Sequence, residues 1–122
     1  MKKLTLLIAI LVTFFLFNQM EAQTSKPMVT FIDLGSDKCS PCKKMQPILK
    51  SIEKKYREQI KVVFYDVWKD EYKSKSDEYK IKLIPTQIFL DANGKEIFRH
   101  EGYYPEAQID KFLQSKGLKV RK

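Results

Sequence analysis

The chain has 122 residues, 43% of them hydrophobic and 31% charged, with a net charge of +8. This balance excludes wholesale disorder and suits one domain with a single modest core. Its two cysteines, Cys39 and Cys42, stand too close together to staple distant parts of a small secreted fold, and a bridge between them adds little stability, so the pair needs another purpose.

Lys2 and Lys3 open the chain and are followed by an apolar run from Leu4 to Phe17, interrupted only by Thr5 and Thr13. A positive start and a short apolar run describe a secretory signal peptide, whereas a membrane-spanning helix takes about 20 apolar residues. Asn18 and Gln19 end the run. Ala22 is a plausible last residue before cleavage, although Met20 is larger than the usual residue two positions earlier. The reading is therefore a signal peptide over 1–22 and one domain over 23–122. An uncleaved N-terminal membrane anchor is the rival. Both place the domain outside the cytoplasm, in the periplasm or at the cell surface or beyond.

After a short polar lead, Val29 to Leu34 is rich in β-branched and aromatic residues and predicts a strand. A loop from Gly35 to Lys38 leads to Cys39-Ser40-Pro41-Cys42. From there Met45, Ile48, Leu49, Ile52 and Tyr56 recur at helical spacing. Pro41 suits the first turn of that helix, and Pro47 inside it predicts a kink. Lys61 to Val67 predicts the next strand. The charged segment Lys69 to Lys80 reads as an exposed helix with loops. Thr86 to Leu90 and Glu96 to His100 form a hairpin around Asn93-Gly94. A last helix over Pro105 to Leu113 stops at Gly117. A strand–helix–strand unit followed by a hairpin gives a mixed sheet with helices on both faces, an α/β domain.

The cysteine pair carries the chemistry. Cys39 lies just before a helix, where free N–H groups and the helix dipole favour an anion and so a reactive thiolate. Cys42, one turn on, can reach Cys39 after a mixed disulfide has formed. Hence Cys39 is the nucleophile and Cys42 the resolving thiol. Half a zinc site is the competing reading. Zinc takes four ligands, and the chain offers only His100 besides the pair.

Four features in register resemble the thioredoxin family, over about Val29 to Leu113. They are Cys39-Ser40-Pro41-Cys42, with serine where the family has glycine; Pro47, five positions after the second cysteine; Asp33, six positions before the first; and Ile84-Pro85-Thr86. The resemblance implies a thioredoxin-like fold trimmed to about four strands, since few residues precede Val29. It implies that Asp33 is buried and exchanges a proton with Cys42. It implies a cis bond before Pro85, with Ile84, Pro85, Ser40 and Pro41 facing an extended substrate. Lys38 departs from the tryptophan usual before the first cysteine and is expected to alter partner contact. A family lysine near the buried acid is missing, with Phe64 or a neighbour in its region.

The expected activity is thiol–disulfide exchange with protein substrates, without metal or organic cofactor, the redox group being the Cys39–Cys42 disulfide itself. Proline before the second cysteine resembles the reducing members of the family. An exported reductase draws electrons from inside the cell, by family analogy through a membrane thiol-transfer protein. An oxidase or isomerase on the same fold, and a metal-binding chaperone using Cys39, Cys42 and His100, are the alternatives. The lysines are dispersed and read as a solvated basic surface, with attraction to an anionic membrane or acidic partner as the sharper reading. Nucleic acid is not an expected partner, and a monomer is expected. Trp68, Tyr72, Tyr103 and Tyr104 are open between core and rim, and His100 reads as a surface residue.

Overall fold

A computed structural model of the chain describes residues 1–17 and 25–122. The expected cleavage point at Ala22, with Met20, Asn18 and Gln19, lies outside the described residues. The apolar run forms helix α1 (Lys2–Phe17), whose side chains are exposed as far as Phe15. Among the described residues no helix is long and apolar enough to cross a membrane.

The domain begins with β1 (Val29–Gly35) and continues through α2 (Ser40–Tyr56), β2 (Ile60–Asp66), the single turn α3 (Lys75–Glu78), β3 (Thr86–Asp91), β4 (Glu96–Glu101) and α4 (Glu106–Ser115). The four strands form one sheet in the order β2-β1-β3-β4. β1 runs parallel to β2, as a helical crossover requires, and antiparallel to β3, and β3 and β4 form the antiparallel hairpin. Only Gly94 of the Asn93-Gly94 pair has a positive φ. Asp91 holds the turn by accepting the backbone N–H groups of Asn93 and Lys95 on Oδ1.

Strand alternation sorts the side chains into two cores. On one face Val29 and Phe31 of β1 and Phe89 of β3 pack against Met45, Ile48, Leu49, Ile52 and Tyr56 of α2 and Ile109 and Leu113 of α4. Phe31 stacks on Phe89 at 4.5 Å, and Phe112 meets Phe89 edge-on at 4.9 Å. The other face gathers Ile32, Leu34, Val67 and Ile88. Its cover differs from the expected helix. Only Lys75–Glu78 is helical in the charged segment, and Tyr65, Tyr79, Ile81 and Ile84 close the face from strand and loop positions. The reason is local. Few apolar residues fall at helical spacing there, while Tyr72 and Tyr79 both pack on Tyr65 from turns.

α2 runs through Pro47 without interruption. It is clamped to α4 by Lys55, which pairs with Glu106 and Asp110, and by the Tyr56 hydroxyl, which donates to Asp110. The chain beyond α4 is also part of the fold. Gly117 turns it with φ +93°, Leu118 is buried, and the Gln59 side chain exchanges two hydrogen bonds with the backbone of Lys119, at 2.8 and 2.9 Å.

Candidate active site

Cys39 caps the N-terminus of α2 in an extended conformation and is half-buried, while Cys42, in the first turn, is fully buried. The two are joined as a disulfide, their Cα atoms 5.1 Å apart. Ser40 and Pro41, between them, are exposed. The loop that delivers Cys39 is tied to the end of β2. Asp66 accepts the backbone N–H of Asp37 at 3.0 Å and that of Trp68 at 3.1 Å. Burial works against its charge, but these bonds and the Ser36 hydroxyl hold its carboxyl below the ordinary value.

Beneath the pair, β1 brings Gly35 against Cys42. A Cβ at Gly35 would lie 3.1 Å from both Cβ and Sγ of Cys42 and 3.4 Å from Cε2 of Phe64. Asp33 is two residues earlier and therefore on the same face of the strand. It is completely buried. Desolvation raises its pKa from 3.8 to about 7, against a smaller lowering by the Gln87 side chain. Gln87 Nε2 donates to Oδ1 at 3.1 Å, and Oδ2 has no hydrogen-bond partner among the described residues.

Ile84–Pro85 is a cis peptide bond. Pro85 is buried, Ile84 is half-buried, and the Pro85 carbonyl accepts the N–H of Gly102 at 2.7 Å. Leu34 pairs with Thr86, so the antiparallel register brings Pro85 alongside Gly35, the residue against which Cys42 packs. Thus Asp33, Cys39, Cys42 and Pro85 gather at one end of the sheet.

A profile described as a thioredoxin-like domain matches residues 17–117. A thioredoxin-like protein of Synechocystis sp. is 35% identical over 98 residues, covering 80% of this chain and 89% of that protein. The chain belongs to the thioredoxin-like family. A thioredoxin of Acidithiobacillus ferridurans is 32% identical over 93 residues, covering 76% of this chain and 82% of its own. The solved structure of the germline-specific thioredoxin Deadhead of Drosophila melanogaster superposes with a TM-score of 0.64 at 25% identity, covering 75% of this chain and 83% of that one.

This thioredoxin-like protein is a thiol–disulfide oxidoreductase whose redox group is its own Cys39–Cys42 disulfide. Members of the family act on disulfide-bearing protein substrates. Among the described residues no group of three His, Cys, Asp or Glu side chains is arranged to hold a metal ion.

Two departures from the sequence reading stand out. His100 is not a plain surface residue. It is half-buried, stacks on Tyr104 at 4.1 Å, and places Nδ1 2.9 Å from Gln87 Oε1. Gln87 itself drew no attention in the sequence. The available signal was a glutamine followed directly by the apolar run Ile88-Phe89-Leu90 of a strand, and the structure buries it fully. The undecided aromatics divide. Tyr104 is core, Tyr72 is half-buried against Tyr65, and Trp68 and Tyr103 are exposed, at 60% and 45%. Lys38 is exposed, and the neighbouring Asp37 carboxylate pairs with Lys69 at 3.5 Å.

Proposed function

We propose that the protein is an exported protein-disulfide reductase. The observation that carries the reading is the pairing of a half-buried Cys39 at a helix N-terminus with a fully buried Cys42 directly behind it. Only Cys39 is open to a large substrate. The helix N-terminus favours its thiolate.

The reduced protein acts in two exchanges. The Cys39 thiolate attacks a substrate disulfide, forming one mixed S–S bond and releasing the first substrate thiolate. The buried Cys42 thiol gives its proton to the Asp33 carboxylate, and the resulting thiolate attacks Sγ of Cys39. The mixed disulfide breaks, the second substrate thiolate leaves, and Cys39–Cys42 is restored as a disulfide. Two electrons have passed to the substrate. Ser40, Pro41, Ile84 and Pro85 line the approach, and an extended substrate segment lies along the Ile84 backbone in strand-addition fashion. Reduction of the disulfide for the next cycle falls to an external dithiol donor, a membrane thiol-transfer protein for an exported chain. The monomer is the working unit.

Export is supported by the pattern of Lys2, Lys3 and the apolar run that follows, whose side chains as far as Phe15 are exposed rather than packed in a core. N-terminal sequencing of the protein recovered from its own cells tests it. A mature chain starting near Gln23 and found outside the cytoplasm is expected, and a full-length cytoplasmic chain refutes it.

The direction of electron flow is tested by the reduction potential. A value near the −270 mV of thioredoxin itself supports the reductase, and one near −120 mV overturns it in favour of an oxidase. A Cys42→Ser variant expressed in the same cells should retain clients on Cys39 as mixed disulfides. Their identification names the substrates.

A further inference from the structure

One row of side chains crosses all four strands directly behind the redox pair. The register aligns Phe64 of β2 with Asp33 of β1, Asp33 with Gln87 of β3, and Gln87 with His100 of β4. All four lie on the face that carries α2, because Val62, Phe31, Phe89 and Phe98, each two residues away, belong to that core. Through this row runs a hydrogen-bonded chain with one polarity. Gln87 Nε2 donates to Asp33 Oδ1 at 3.1 Å, so Oε1 is left to accept, and His100 Nδ1 stands 2.9 Å from it. The amide orientation therefore requires the proton of His100 to be on Nδ1. The ring is held in plane by its 4.1 Å stack on Tyr104, a buried residue whose backbone N–H reaches Met45 Sδ of α2.

We propose that Gln87, anchored by His100, is a positioning residue for the proton transfer of the proposed reaction: it pins Oδ1 of Asp33 and leaves Oδ2 as the atom that takes the proton of Cys42. The argument rests on the reading of Asp33 as the base. Both oxygens of a buried carboxylate normally find donors. Here, among the described residues, one does and the other has none. A carboxylate with a single fixed donor keeps its charge available and cannot rotate freely. Apart from Gln87, Asp33 is faced by Phe64 from β2 and by the Cys42 end of α2 through Gly35. Among the described residues its carboxyl is shifted by burial and by the Gln87 amide, and by no charged side chain. His100 is faced by Gln87 and by the Tyr104 ring, whose phenol burial pushes up. The row is thus the one polar connection between Asp33 and the opposite edge of the sheet among the described residues.

The test compares wild type with Gln87→Leu, His100→Phe, His100→Asn and Asp33→Asn in the full chain. Two readouts are used: the pH profile of reduction of a disulfide-bridged test peptide, and direct titration of the Asp33 carboxyl carbon by NMR in the oxidised protein. Gln87→Leu removes the donor to Oδ1 of the carboxylate and should move both midpoints up by about one to two pH units. His100→Phe keeps the stack on Tyr104 but frees the amide, and should move them about half as far. His100→Asn restores a donor near the place of Nδ1 and should return them to the wild-type position. If Asp33→Asn keeps the wild-type pH profile, the reading of Asp33 as the base fails. If Asp33→Asn loses the pH step but Gln87→Leu leaves the carboxyl titration unmoved, the positioning role is overturned while Asp33 stands. The His100 pair decides the matter even if Gln87→Leu does not fold. Equal titrations for His100→Phe and His100→Asn overturn the anchoring.

Discussion

Gly35 and Cys42 touch so closely that a methyl group on Gly35 would fit only if a neighbour gave way by a few tenths of an ångström. A Cβ on Gly35 would stand 3.1 Å from Sγ and Cβ of Cys42. The φ of Gly35 is not in the left-handed region, so this position is constrained by close approach and not by backbone conformation. Gly35→Ala is expected to cost about 1–3 kcal/mol in urea unfolding. It should also slow release of the mixed disulfide, because Cys42 must shift to make room. An unchanged unfolding midpoint would show that the loop relaxes freely.

Asp33 makes the oxidised protein less stable at higher pH. Its folded pKa of about 7 lies above its ordinary 3.8, so the native state binds the proton more tightly. Its contribution to stability is therefore greatest below about pH 4, falls as pH rises towards about 7, and then levels. The gap is worth up to about 4 kcal/mol. Asp33→Asn should remove this slope, making the variant more stable than wild type at pH 8 and no more stable at pH 4. Denaturant unfolding of both proteins across pH 4–9 measures it, and parallel curves would refute the buried charge.

Asp66 behaves in the opposite sense. Its carboxyl is held low by the N–H groups of Asp37 and Trp68, so its contribution is present above the ordinary carboxylate range and lost as pH falls through it. Asp66→Ala should cost about 1–3 kcal/mol and loosen the loop before Cys39. Faster hydrogen exchange at the Asp37 and Trp68 amides, with exchange in α4 unchanged once corrected for global stability, is the expected signature.

Gln59 fastens the C-terminal tail. Its amide joins the Lys119 backbone through both its nitrogen and its oxygen, and Nε2 also reaches the Tyr56 carbonyl. Gln59→Leu leaves these groups unpaired and should cost about 1–3 kcal/mol. Residues 118–122 should become sensitive to carboxypeptidase in that variant while wild type resists trimming.

The α/β order, the α2 core face and the cysteine pair at the head of that helix are legible in the chain alone. These are local matters. Periodicity assigns Met45, Ile48, Leu49, Ile52 and Tyr56 to one face whatever they pack against, and the spacing of Cys39 and Cys42 sets their reach. Asp33 and Pro85 became legible through their offset from the pair in a resembling family. In the segment from Lys69 to Lys80 the helix is confined to Lys75–Glu78, because Tyr72 and Tyr79 pack on Tyr65 of another strand. The register of Gln87 and His100 with Asp33, the hold of Gln59 on the tail and the close approach of Gly35 to Cys42 emerge only once the strands are assembled. Each of these depends on strand register or on contacts between residues far apart in the chain. No single strand carries a signal of the register its neighbour will adopt. The cysteines are thus written in one stretch of sequence, while the proposed path of their proton is assembled from three strands.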